Sequence, residues 1–136
     1  MPVRRFSIEC RVYWEDTDAG GVVYYANYLK FMERCRSDWL RALNIDQQRL
    51  RAERQLQFVV VNVSVDFLRP AVLNDEIRVS AELERLSGAT ILFEQTIARG
   101  DVQLIDASVR VACLDSGTLK PRPIPKDLFV EWRNGE

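Results

Sequence analysis

The chain contains no histidine in its 136 residues. That excludes Ser-His-Asp and Cys-His catalysis, His-based metal sites and imidazole acid/base chemistry together. A catalyst built here must use carboxylates, backbone dipoles, Tyr, Lys, Ser, Thr or Cys. There is no run of about 18 apolar residues of the kind that spans a bilayer, and no apolar segment follows the basic start MPVRRFSIEC to make a signal peptide. There is no excess of charge: 19 Lys and Arg stand against 20 Asp and Glu, net −1, which gives no case for nucleic acid or an acidic membrane surface. The cysteines, Cys10, Cys35 and Cys113, are odd in number and sit among apolar neighbours. They read as reduced core thiols rather than a disulfide framework or a metal site, and they point to the cytoplasm. Repeats, low-complexity tracts and linkers are absent too, so residues 1–136 read as one domain.

What is present is strand and helix periodicity in a definite order. Phe6, Ile8, Cys10, Val12 and Trp14 alternate with polar residues, giving a two-faced strand. From Tyr24 to Leu43 the period changes. Tyr25, Tyr28, Leu29, Met32, Cys35, Trp39, Leu40 and Leu43 share one side of a helix about 30 Å long, with Asn44 as its stop. Asp46 is placed to cap a short second helix through Glu53. Strands follow: Val59, Val61, Val63, Val65 and Phe67 on one face, then Ile77–Leu83, then Thr90–Ala98 after the Ser87-Gly88 hairpin. A last strand carries Ile105, Ala107, Val109, Val111 and Cys113. Pro125 opens a possible final helical turn. The order predicts an α+β fold, with one long helix covering an antiparallel sheet of about five strands. Such a sheet has exposed edges unless a second copy pairs with it, so a homodimer with a continuous sheet is expected.

The most informative stretch is EDTDAGGVVYYANYLKF, Glu15 to Phe31. Two acids and a glycine pair stand directly before the long helix. A helix N-terminus presents unpaired N–H groups and the positive end of the macrodipole. Asp18 and Asp16 in such a place are commonly turn or cap residues. Gly20 and Gly21 are commonly simple turn formers. The alternative is a site: N–H groups at the helix start hold a thioester oxyanion while Asp18 acts as a base on water or as a nucleophile. A thiolate leaving group, with a reference pKa of about 8.5, needs little protonation help, which suits a chain without histidine.

The segment VYWEDTDAGGVVYYANYLKFMERCR resembles the hotdog-fold acyl-CoA thioesterases of the 4-hydroxybenzoyl-CoA thioesterase class, and most closely the bacterial group associated with the Tol–Pal envelope system. FLRPAVLNDEIRV and LKPRPIPK are similar to further segments of that group. The resemblance implies a hotdog fold in which the sheet wraps the long helix and copies pair sheet to sheet, giving a homodimer and beyond it a tetramer. It implies no cofactor and no metal. It aligns Asp18 with the catalytic carboxylate, and Gly21 to Tyr25, including Val22, Val23 and Tyr24, with the amides facing the thioester oxygen. Tyr25 stands where the Tol–Pal-associated group usually has His.

Tyr24, Tyr25, Tyr28 and Trp39 read first as core aromatics of an amphipathic helix, with Tyr25 the exception at the expected pocket. Glu33 and Arg36, one helical turn apart, read as an i,i+3 ion pair near a subunit contact, or as a clamp behind the site. The hairpin from Arg85 to Thr90 is where relatives bind the nucleotide part of coenzyme A. Lys120, Arg122 and Lys126 are alternative phosphate contacts, or solvated surface charges. The expected substrate is an acyl-CoA or acyl carrier protein thioester. Two other functions compete: a non-catalytic acyl-binding or partner-binding module on the same pocket, and a dehydratase or hydratase, which a histidine-free chain disfavours.

Overall fold

A computed structural model describes residues 5–130. The chain runs β1 (Arg5–Arg11), a 3-10 turn (Trp14–Asp16), α1 (Asn27–Ala42), α2 (Gln47–Arg54), β2 (Leu56–Phe67), β3 (Glu76–Ser87), β4 (Thr90–Arg99) and β5 (Val102–Asp115). The five strands form one sheet in the order β1-β3-β4-β5-β2, and every neighbouring pair is antiparallel. This is the α+β architecture that the strand–helix–strands order predicts. No helix among the described residues is long and apolar enough to cross a membrane.

The long helix packs across the sheet because its apolar positions recur every three to four residues. Tyr28, Phe31, Met32, Cys35, Trp39 and Leu40 are buried. The Trp39 ring stacks on Phe6 of β1 at 6.2 Å and meets Phe93 of β4 edge-on at 6.1 Å. The helix ends where the sequence stops it. Asn44 adopts φ +63°, its N–H donates to Arg41 C=O, and Ile45 N–H donates to Leu40 C=O, so the last carbonyls are satisfied. Asp46 accepts from the N–H groups of Gln48 and Arg49 and caps α2.

Four expectations need correction. The helix begins at Asn27, not Tyr24: Tyr25 precedes it and is exposed, Leu29 lies on its exposed side, and Phe31 takes the buried place. The strand period of β1 ends at Arg11, so Val12 is buried but Trp14, in the 3-10 turn, is 77% exposed. A bulge between Val60 and Asn62 breaks the alternation of β2. A bulge shifts the facing parity by one residue, so Val63, Val65 and Phe67 lie opposite the buried Val109, Ala107 and Ile105, whereas Val59 lies opposite Ala112. Last, Glu33 and Arg36 form no ion pair: Glu33 accepts from the Ser37 hydroxyl at 3.0 Å, and Arg36 donates to Gln95 Oε1 at 2.8 Å. At the other end, Leu128 N–H donates to Pro125 C=O and closes a turn; anything beyond Val130 lies outside the described residues.

Candidate active site

The Asp18 loop is a tight hairpin. Thr17 bridges Val23, Asp18 N–H donates to Val22 C=O at 2.9 Å, and Gly21 N–H donates to Asp18 C=O at 3.0 Å. Gly21 has φ +81°, a conformation that suits glycine. At Gly20 a Cβ would stand 3.3 Å from Asp18 Oδ1, because that oxygen accepts from Gly20 N–H at 2.8 Å. The glycine pair therefore does two jobs: one residue turns the chain and the other lets the carboxylate close over the backbone. Asp18 is exposed, and among the described residues its carboxylate accepts from Gly20 N–H alone.

Asp16 plays a different part. Its side chain is 6% exposed. Oδ1 accepts from Asn27 Nδ2 at 2.8 Å, Oδ2 accepts from Tyr13 N–H at 2.9 Å, and its C=O accepts from Tyr24 N–H at 3.0 Å. One residue thus ties the 3-10 turn, the loop and the first residue of α1 together. Sequence gives both acids the same turn reading. The partner that separates them, Asn27, lies 11 positions on and is found through the fold.

The loop is pinned from the other side by the turn after β2. Val23 N–H donates to Ala71 C=O at 2.9 Å, and Val22 bridges Val72. That turn is itself braced by Asp75, whose Oδ2 accepts from Val72 N–H at 2.9 Å and from Arg99 at 2.6 Å. Tyr28 is buried, and its hydroxyl oxygen accepts from Ala71 N–H at 3.0 Å. Burial raises the Tyr28 pKa, with the Ala71 N–H opposing, so the phenol stays protonated. Asp75, Arg99 and Ala71 are supports that local sequence pattern does not reveal, since each acts from another element.

The expected oxyanion donors divide into engaged and free. Gly21, Val23 and Tyr24 spend their N–H groups on Asp18, Ala71 and Asp16. Among the described residues, the N–H groups of Val22, Tyr25 and Ala26 donate to no protein acceptor. Ala26 is the N-cap of α1 and supplies no side-chain cap. The positive end of the long helix is therefore open, with the Tyr25 and Ala26 amides at its mouth. Beside it lies an open hollow of about 260 Å³ walled by Val23, Tyr25, Tyr28, Phe67, Leu68 and Pro70, with Arg69 at its rim. Tyr25 is 64% exposed, and its ring leans on Tyr24 at 4.8 Å and on Phe67 at 6.4 Å. An amide-rich helix mouth, an exposed carboxylate and an aromatic-walled hollow are together suited to binding an acyl group and stabilising negative charge on its oxygen.

The basic residues do not gather there. Arg85 sits at a register shift of β3, and Thr90 Oγ1 donates to Ser87 C=O across the hairpin. Thr90 pairs with Ala112, whereas Phe67 of the hollow pairs with Ile105. The hairpin and the hollow thus lie toward opposite ends of the sheet, roughly 23 Å apart along the strands at about 3.3 Å per residue. Arg122 is engaged with Arg54 C=O at 2.9 Å and Asp115 at 3.6 Å. Lys120 and Lys126 are exposed.

A five-stranded antiparallel sheet packed against one long helix is the architecture of the hotdog fold. The thioesterase superfamily profile matches residues 20–105, and the chain belongs to that superfamily. It is 50% identical over 129 residues to the acyl-CoA thioesterase YbgC of Haemophilus influenzae, covering 95% of each chain. It is 42% identical to the acyl-CoA thioester hydrolase YbgC of Escherichia coli O6:H1, covering 98% of this chain and 99% of that one. Among solved structures, a probable thioesterase from Bartonella henselae superposes with TM-score 0.84 at 36% identity, over 89% of this chain and 99% of that one. The chain is accordingly a thioester hydrolase.

Proposed function

We propose that this protein hydrolyses acyl-CoA thioesters, taking the carbonyl oxygen onto the free amides of Tyr25 and Ala26, with Asp18 activating the attacking water. The observation that carries this reading is the uncapped mouth of α1, where those two N–H groups lack protein acceptors a few residues along the chain from the exposed Asp18. Gly21, expected from sequence as a donor, has its N–H committed to Asp18, so its role is to shape the loop. Tyr25 contributes its backbone amide to the oxygen and its ring to the wall of the hollow, with Val22, Val23, Tyr24 and Tyr28 around it. As negative charge develops on oxygen, the dipole and amides stabilise it without reorganising. Asp18 draws the proton from water, and the thiolate departs without needing an imidazole.

A second copy completes this arrangement. β2 is an edge strand with Val60, Val61, Val63 and Phe67 exposed, and an apolar edge of this length invites pairing. Antiparallel β2–β2 pairing reverses one sheet against the other. It carries Arg85 and Thr90 of the partner subunit toward the hollow, where the nucleotide phosphates of coenzyme A need cations. The finer expectations, a carrier-protein thioester as substrate and a link to the Tol–Pal system, rest on family resemblance alone.

The test is thiol release from a panel of acyl-CoAs, comparing wild type with Asp18→Asn. The expected loss is at least ~10²-fold. Equal rates would remove Asp18 from the chemistry. In a single turnover in ¹⁸O water with the product carboxylate and Asp18 analysed separately, label in Asp18 identifies a nucleophile whose mixed anhydride is opened at the Asp18 carbonyl. One observation favours a competing reading as a binding module: Asp18 is exposed and closed over Gly20 N–H. Tight acyl-CoA binding without turnover at any chain length would establish it.

A further inference from the structure

The two free amides at the mouth of α1 sit inside a closed ring of hydrogen bonds. Asn27 N–H donates to Tyr24 C=O at 2.8 Å, so residues 24–27 form a four-residue turn with Tyr25 and Ala26 at its centre. The turn's own bond uses neither central N–H. Both ends of the turn are tied to one residue. Tyr24 N–H donates to Asp16 C=O at 3.0 Å, and Asn27 Nδ2 donates to Asp16 Oδ1 at 2.8 Å. Asp16 is fixed from behind: Tyr13 N–H donates to its Oδ2 at 2.9 Å, and its own N–H donates to Tyr13 C=O at 3.0 Å. The Asp16 and Asn27 side chains are both buried, so water competes little for the bond between them.

Among the described residues Asp16 takes part in no ion pair. A buried carboxylate without a cation is costly, and apolar packing would serve stability as well. What the carboxylate adds is direction: one oxygen holds the start of α1 and the other holds the 3-10 turn. That matters where donors must be in place before charge develops on a substrate oxygen. A displacement of about 1 Å at such a point can cost ~10²-fold in rate. Tyr25 carries an exposed ring and Ala26 supplies no side-chain cap, so neither residue holds its own amide. The hold comes from Tyr24 and Asn27 on either side, and through them from Asp16.

We propose that Asp16 and Asn27 are positioning residues of the hydrolysis: their bond holds the Tyr24–Asn27 turn so that the Tyr25 and Ala26 amides converge on the thioester oxygen. The proposal rests on the oxyanion reading of the previous subsection. It gives Asp16 a part in the rate without contact with substrate, separate from the part of Asp18.

The test exchanges donor and acceptor in the full chain. Asn27→Asp faces Asp16 with a second acceptor and breaks the tie. Adding Asp16→Asn restores it, because the amide introduced at position 16 donates to the carboxylate at position 27 while its oxygen accepts from Tyr13 N–H. Asn27→Asp should lower kcat by at least ~10-fold with KM changed less than about 2-fold, since the donors are displaced and the walls of the hollow are kept. The double variant should return kcat to within about 3-fold of wild type. Asn27→Leu breaks the tie without adding charge, should match Asn27→Asp in kcat, and is the variant read if the charged one does not fold. Urea midpoints are measured on all of them. A double variant with a wild-type midpoint and a kcat no better than Asn27→Asp overturns the proposal, as does a folded Asn27→Leu with wild-type kcat. Backbone ¹⁵N spectra add a readout that needs no turnover: the Tyr25 and Ala26 amide signals should move in Asn27→Leu, and unmoved signals overturn the clamp. A wild type that releases no thiol from any acyl-CoA overturns the hydrolase reading instead, and these signals then decide whether the clamp holds the amides.

Discussion

At the scale of single residues, two acids of one motif have separate duties that substitution can resolve. Asp18 is exposed, and Asn in its place still accepts from Gly20 N–H, so Asp18→Asn should change stability by less than about 0.5 kcal/mol while activity collapses. Asp16 is the reverse. Asp16→Asn turns a donor amide toward Asn27 or Tyr13 N–H and should cost about 1–3 kcal/mol, read from the urea midpoint. Adding Asn27→Asp should recover part of that, since the pair then bonds with donor and acceptor exchanged; an unchanged midpoint in the single variant would refute the clamp. The sequence makes both acids visible as turn residues and singles out Asp18 for chemistry, but it does not show that Asp16 is the buried one, because burial is decided by Asn27 and Tyr13 together. Cys35 shows the opposite case, legible from its apolar neighbours and confirmed as a buried thiol that donates to Val79 C=O at 3.3 Å. Burial pushes it from 9.0 up to about 12, so its neutral form is favoured in the fold. A folded pKa above the unfolded one gives stability that is complete below about pH 9 and lost as pH rises toward 12. Alkaline denaturation of wild type against Cys35→Ala should diverge in that window; parallel curves would contradict the shift. At pH 8 the folded thiol should resist a disulfide reagent and react only in denaturant.

At the scale of elements, the sequence is most legible where one element explains itself. The stripe from Tyr28 to Leu40, the Asn44 stop and the Asp46 cap follow from local periodicity and end chemistry. The misreadings fall where an element meets another. Tyr24 and Tyr25 extend the helical pattern on paper, but the loop spends Tyr24 N–H on Asp16 and leaves Tyr25 outward. The bulge at Val60–Asn62 hides in a run of valines that fits either face, so composition cannot locate the parity change. The hairpin before α1 gives a sharp element-level test. Gly21 has open space around its missing Cβ, so Gly21→Ala brings no clash and only backbone strain. The cost should be about 1–2 kcal/mol. If the loop aims Asp18 at the helix mouth, kcat should fall further than this stability loss explains. An alanine variant with wild-type kcat would separate loop geometry from catalysis.

At the scale of the whole molecule, short connections make β3-β4-β5 legible as an antiparallel meander, but the places of β1 and β2 at the two edges are not in the sequence pattern. Five strands are readable one by one, yet the full order β1-β3-β4-β5-β2 emerges only from pairing, and it puts the Arg85–Thr90 hairpin at the far end of the sheet from Tyr25. A site that needs both must therefore draw them from two copies. This yields a complementation experiment. Asp18→Asn removes the carboxylate but keeps the hairpin; Arg85→Ala keeps the carboxylate and should lower kcat/KM for acyl-CoA by roughly 10-fold through lost phosphate contact. In a heterodimer of the two, one site combines the intact Asp18 of the Arg85→Ala chain with the intact Arg85 of the Asp18→Asn chain, and the other site lacks both. With random assortment, half the dimers are mixed and each has one good site, so kcat/KM should return to about a quarter of the wild-type value. That exceeds what either variant gives alone. If both groups serve the site within their own chain, mixing can only average the two weak activities. The measurement is the initial rate at substrate well below KM, after co-refolding at equal concentrations, so that recovered substrate affinity appears directly in the rate.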